Sequence, residues 1–294
     1  MALLVKMDQF SGKDNVADSV RAQAVVRDNW SRVYPLKIAK NIYVDDSGAL
    51  QTRPGYAKVL SGRSAPHSFW SDGSQAYFAE GSVLYRFHSD YTVTSVFSAL
   101  ATGSRVCYCP VNDRVYLSDA TTIGYLKSQA FNYLADPSTL YKRPLPAGRC
   151  LAFYRGRIYV AANNVLYISD PLSDFFDTRT GFRTFEADIE MVLAVDSGLY
   201  VGADKTYFLA GLSPEEFQRA EVSDDRPVYG TGATKKHNGK IVAMWTTKNG
   251  IYAGNEGGTV RNVTDGRYRP GDYSMGSASF LRTSGVDHYQ ASLY

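Results

Sequence analysis

Short apolar segments centred on a tyrosine recur along the chain. Gln75-Ala-Tyr-Phe-Ala, Arg114-Val-Tyr-Leu-Ser, Arg157-Ile-Tyr-Val-Ala and Gly198-Leu-Tyr-Val-Gly place Tyr77, Tyr116, Tyr159 and Tyr200 at successive separations of 39, 43 and 41 residues. A fifth copy, Gly239-Lys-Ile-Val-Ala-Met-Trp, puts Val242 at the tyrosine position 42 residues further on, and Asn41-Ile-Tyr-Val-Asp puts Tyr43 34 residues before Tyr77. Ser71-Asp-Gly73, Asn112-Asp113, Tyr154-Arg-Gly156, Asp196-Ser-Gly198 and His237-Asn-Gly239 stand just before five of these segments, where a tight hairpin wants Asn, Asp or Gly. A second apolar segment follows each of those five: Val83-Leu-Tyr85, Ile123-Gly-Tyr125, Val165-Leu-Tyr167, Thr206-Tyr-Phe208 and Gly250-Ile-Tyr252. Nine residues before each of the last five centres stand Ser68, Cys107, Cys150, Met191 and Ala233, mostly small or apolar, as suits a crowded strand near an axis.

A period of about 40 to 45 residues with about four short strands is the signature of a β-propeller blade. Leu36 to Tyr294 is 259 residues, room for roughly six such units. The expected fold is therefore all-β, a single propeller over residues 36–294 with about six blades, five being the nearest alternative. Residues 1–35 form an N-terminal arm. Val16, Val20 and Ala24 recur at helical spacing between Asp14 and Val33, but β-branched Val25-Val26 and the lack of a C-cap leave a short helix and an extended arm both open.

Composition supports this reading. Tyr accounts for 22 and Phe for 14 of 294 residues, side chains that suit a pleated, half-buried surface. A formal net charge of +3 is too near balance for a nucleic-acid or anionic-membrane footprint. The apolar start Ala2-Leu3-Leu4-Val5 is broken by Lys6 and Asp8, too soon for a secretory signal, and no run approaches the roughly 18 apolar residues of a membrane span. Cys107, Cys109 and Cys150 match neither a disulfide framework nor a zinc pattern and read as reduced core thiols.

Asn41-Ile-Tyr-Val-Asp-Asp-Ser-Gly-Ala-Leu-Gln-Thr-Arg-Pro-Gly-Tyr56, His67-Ser-Phe-Trp-Ser71, Leu166-Tyr-Ile-Ser-Asp-Pro171, Gly198-Leu-Tyr-Val-Gly202, Thr206-Tyr-Phe-Leu-Ala-Gly211, Gly250-Ile-Tyr-Ala-Gly-Asn-Glu-Gly-Gly258 and Val263-Thr264 follow one another in order. In this ordered set, which spans roughly residues 40–294, the chain resembles a family of propeller-like structural proteins of the tail or tail tip of tailed bacteriophages. The resemblance implies a virion protein made in the host bacterial cytoplasm and built into the tail, with other virion tail proteins as partners and a symmetric oligomer as its setting.

No segment carries an enzyme's pattern. Gly230-Thr-Gly-Ala-Thr-Lys-Lys236 lacks the spacing and the following helix of a phosphate loop and reads as a turn between blades. His67, His88, His237 and His288 are scattered, as surface or turn histidines are. Asp170, Asp174 and Asp177 could surround Ca²⁺ if their loop folded on it, but the EF-hand pattern is absent and a solvated inter-blade loop is the better reading, with Phe175-Phe176 exposed or tucked over a blade. Trp70-Ser-Asp-Gly-Ser-Gln-Ala-Tyr77 has the turn of a sialidase Asp box but puts its Trp on the wrong side. Asn29-Trp-Ser31 and Asn262-Val-Thr264 fit the glycosylation sequon by accident, given no secretory signal. The expectation is a non-catalytic tail component with no catalytic, cofactor-binding or metal residues. The alternative is a glycan-directed protein for host attachment, a receptor-binding module or a glycoside hydrolase, with aromatic rings at the mouth of the ring stacking on a host-surface glycan.

Overall fold

The computed structural model describes residues 59–137, 139–264, 268–283 and 286–294, together with five strand segments before them. From residue 67 to residue 262 the alternating strands and tight turns assemble five four-stranded antiparallel sheets in chain order. Their first strands are His67–Ser71, Cys107–Val111, Cys150–Tyr154, Met191–Val195 and Ala233–His237. Each turns back into the strand that carries the repeated centre: Ala76–Glu80, Arg114–Ser118, Arg157–Ala162, Gly198–Gly202 and Lys240–Thr247. Asn and Gly do this turning where expected. Arg155 and Gly156 lie at φ +49° and +78°, Asn238 and Gly239 at +50° and +83°, the paired positive angles of a two-residue hairpin loop whose twist matches its strands.

A blade cannot bury both faces alone, and the apolar side chains accordingly gather between blades. Tyr77, Leu84, Val115, Leu117 and Leu126 fill the space between the first and second blades. Tyr116, Leu151, Ile158 and Phe176 do so between the second and third, Tyr159, Leu166, Leu199 and Tyr207 between the third and fourth, and Tyr200, Phe208 and Trp245 between the fourth and fifth. The first strands of the second to fifth blades lie side by side about the axis, so the molecule is a β-propeller.

Several repeated tyrosines also span the seams through their hydroxyls. Tyr116 donates to Asp174, beyond the second blade, and Tyr200 donates to the Asn255 carbonyl of the fifth blade at 2.7 Å. The hydroxyl of Tyr77 stays within its own blade and donates to Gln75 at 2.7 Å. Tyr159 is buried as the repeat predicts, but the partner expected for its hydroxyl is not found among the described residues.

Two expectations are corrected, and a third is met only in part by the described residues. The fifth centre is displaced: Val242 is only half buried, and Ala243 and Trp245, both fully buried, take the inward positions of a strand eight residues long. Of the Asp14 to Val33 segment, left open between helix and extended arm, residues 14–24, which carry Val16, Val20 and Ala24, and 28–30 lie outside the described residues; Val25–Arg27 and Ser31–Leu36 are extended and pair antiparallel, with Phe10–Lys13 as a third strand. Val25-Val26, β-branched at χ1, suits that pairing. The sixth unit is not built around Tyr43: the C-terminal segment forms a hairpin of its own, Gly276–Thr283 with Val286–Leu293. Tyr43 sits in a separate two-stranded unit, Ile42–Val44 with Leu50–Thr52. The C-terminal hairpin occupies the sixth position of the ring: Met275 bridges to Tyr229 beside the fifth blade, and its other side faces Ala65 to Phe69 of the first.

Candidate functional site

Each first strand begins at the same face of the ring, and the residue just before its small inner residue is brought to the axis. In the third and fourth blades these residues are Arg149, before Cys150, and Glu190, before Met191; in the first blade the residue is His67, before Ser68. His67 and Arg149 line a cavity of about 980 Å³, walled by the first and second blades on one side and the C-terminal hairpin on the other.

Two arginines share one aromatic ring in its wall. The guanidinium of Arg149 sits 4.2 Å and that of Arg105 5.5 Å from the centroid of Tyr229, which is buried. Arg149 also meets Glu190 at 3.3 Å, and Glu190 is claimed a second time by Arg226 at 2.6 Å. Arg105 donates to the carbonyls of Gly276 and of Gly230, the latter at 3.0 Å, and so ties the hairpin to the loop before the fifth blade. Gly230 is held at φ +82°, and a Cβ there would run into that guanidinium and the Gly276 carbonyl, so glycine is required for the clamp to close. The Gly-rich stretch thus serves as the inter-blade turn expected of it.

Asp119 lines the same cavity but is spent. Its carboxylate accepts from the N–H groups of Ala101, Thr121 and Thr122 and from the Thr121 hydroxyl. Burial disfavours its charge, yet those donors more than compensate and hold it below the ordinary carboxylate range. Burial, and then the neighbouring charge of Arg105, lower the His67 imidazole, which shares a 2.9 Å hydrogen bond between Nδ1 and Ser68 Oγ. His67 is therefore part of the cavity wall and not a surface histidine, whereas His237 is exposed and His88 half-buried.

The remaining sequence candidates are structural. Asp170 pairs with Lys142 at 2.5 Å, Asp177 with Lys142 and Arg179 at 3.2 and 2.8 Å, and Asp174 with Arg114 at 3.1 Å, so three cations answer the three carboxylates. No cluster of three or more His, Cys, Asp or Glu placed to hold a metal ion occurs among the described residues. Phe176 is an anchor, buried in the seam between the second and third blades, and Leu172 is the exposed apolar residue of that loop at 81%. Burial pushes the Cys109 and Cys150 thiols up to about 12, and Cys107 well above its ordinary value, far from the reactive thiolate. All three are free.

Among the described residues no helix is long and apolar enough to cross a membrane. No family model and no curated relative matches the chain. Solved structures do: BBS1N, from its complex with ARL6DN, aligns with TM-score 0.52 at 14% identity over 85% of this chain and 82% of its own. The extracellular domain of the hybrid two-component system BT4673 from B. thetaiotaomicron aligns with TM-score 0.51 at 13% identity over 75% of this chain. The matched region is about a third of the BT4673 chain, 32%. At such identities the likeness shows the fold alone, a β-propeller.

Proposed function

We propose that this propeller is a non-catalytic structural component of a bacteriophage tail or tail tip, working through protein–protein contacts with neighbouring tail proteins. The observation that carries the reading is the placing of its large apolar side chains. Tyr133, Leu140, Leu172 and Leu212 are 64%, 77%, 81% and 61% exposed, all outside the inter-blade cores. Burying such a side chain against a partner yields about 1.5 to 3 kcal/mol, which the isolated ring forgoes. The charged groups of the same loops are satisfied internally, as with Asp170, Asp174 and Asp177. The ordered segments that resemble tail proteins supply the setting; within the ring they fall in the first, third, fourth and fifth blades.

The test replaces Leu140 and Leu172 together by Asp. Both being exposed, the variant should keep the wild-type melting temperature, and it should fail to enter assembled particles when it replaces the wild-type chain. Undiminished incorporation of a folded variant would remove this contact surface from the account, and turnover of a host glycan by the purified chain would remove the non-catalytic reading.

A further inference from the structure

The cavity between the C-terminal hairpin and the first two blades, about 980 Å³, is larger than the one of about 630 Å³ between the second and third blades. The seams between successive blades are packed with Tyr, Trp, Phe and Leu. In the larger cavity polar residues share the wall with apolar ones such as Ala65, Pro66, Ala120, Met275 and Ala278. Strand register places Ser277 opposite Ser292 and Ser279 opposite Gln290, two adjacent cross-strand pairs whose residues alternate onto one face of the hairpin, and all four line the cavity. The other face of the hairpin is used for attachment: Tyr289 donates to the Thr231 carbonyl at 2.6 Å and lies 3.0 Å from the Thr246 hydroxyl. Ser68 and Ser104 face the hydroxyl wall from the first and second blades, and the exposed rings of Phe69 and Tyr294 stand at its rim.

The charge in this seam is unbalanced. Two guanidiniums, Arg105 and Arg149, and one carboxylate, Asp119, line it; outside the lining Arg149 shares Glu190 with Arg226, and Asp119 is engaged by four hydrogen-bond donors. Arg105 donates to two neutral carbonyls and lies over the Tyr229 ring, and no carboxylate pairs with it among the described residues. A net positive wall beside rows of hydroxyl and amide groups, with aromatic rings at the rim, is complementary to one chemical class: a carboxylate attached to a polyol. We infer that this seam binds an acidic sugar, its carboxylate held by Arg105 and Arg149 and its hydroxyls by the serines and Gln290 of the hairpin. A volume of about 980 Å³ is at the upper end of small-ligand sites, enough for more than one sugar ring. Bidentate pairing of a guanidinium with carboxylate gives the recognition its direction.

Calorimetric titration of the full chain with digalacturonate, sialyllactose and a hyaluronan disaccharide, beside galactobiose and lactose as neutral counterparts, tests the inference. At least one acid should bind 10-fold or more tighter than its neutral counterpart. Arg149→Gln and, independently, the exposed Ser279→Leu should each weaken it 10-fold or more with unchanged melting temperature. Should Arg149→Gln fail to fold for want of its Glu190 contact, Ser279→Leu decides alone. Absence of binding by all three acids, equal binding of the neutral sugars, equal affinity for acetate, equal affinity for an acidic hexapeptide, or indifference to Ser279→Leu would each overturn it. None of these outcomes bears on whether the chain enters tail particles.

Discussion

At the residue scale, the repeated tyrosines are worth different amounts according to what their hydroxyls do. Tyr159 is 1% exposed, so Tyr159→Ala should cost about 3 kcal/mol or more in chemical denaturation, as large aromatic truncations in cores do. Tyr159→Phe, which removes a hydroxyl without an assigned partner, should cost less than about 0.5 kcal/mol. Tyr200→Phe should cost about 1 kcal/mol, since it strips the Asn255 carbonyl of its donor across the seam between the fourth and fifth blades. Equal losses for the two Phe variants would refute the distinction. Asp119 predicts a pH dependence. Its folded state binds a proton more weakly than the unfolded chain, so its contribution is whole above the unfolded value of about 3.9 and is lost as pH falls through that value toward the folded one. Urea midpoints should therefore drop on acidification from about pH 5 to pH 2, and less steeply in Asp119→Asn, which has no charge to lose. Parallel profiles for the two proteins would contradict the role given to this carboxylate.

At the scale of elements, the C-terminal hairpin is the least conventional piece and the most informative to remove. Ending the chain before Met275 deletes the Tyr289 bonds to Thr231 and Thr246 and the carbonyl that Arg105 holds at Gly276, and it bares the inner edge of the fifth blade. A loss of about 3 kcal/mol is expected, read as a fall in melting temperature of roughly 6 to 12 °C. An unchanged melting temperature would mean that the hairpin hangs from the ring without closing it. Strand by strand, the first four blades were legible in the chain because a tight turn before a tyrosine-centred strand, two residues long in the second to fourth blades, is a local signal. The displaced fifth centre was not, because Val242 satisfies the apolar pattern as well as Ala243 does, and only the packing of Trp245 5.3 Å from Tyr200 settles which residues face inward. Nor was the hairpin: Arg282 opposite Asp287 and Leu281 opposite His288 give it no apolar face that alternation alone would pick out.

For the whole molecule, closure makes the blades interdependent. Every core is shared by two neighbours, so excising residues 103–145, which removes the second blade, should leave an insoluble or non-cooperatively unfolding chain instead of a smaller ring. Circular dichroism showing one sharp transition in that deletion would count against it. Closure also explains why the axial site was hidden in the sequence. Arg149 and Glu190 are 41 residues apart and Arg105 and Arg149 are 44, each solitary in its own segment, and only the superposition of repeats brings them to one ring of residues. The usable signal was the position before Cys150 and Met191, where a charged residue in two successive repeats stands at an otherwise small and apolar place. The central functional claim, a tail component, is tested most directly by immunogold labelling of purified phage particles with antibody to this chain under the electron microscope. The account predicts gold at a fixed place on the tail in most particles; particles without label, carrying tails complete in every other protein, would contradict it.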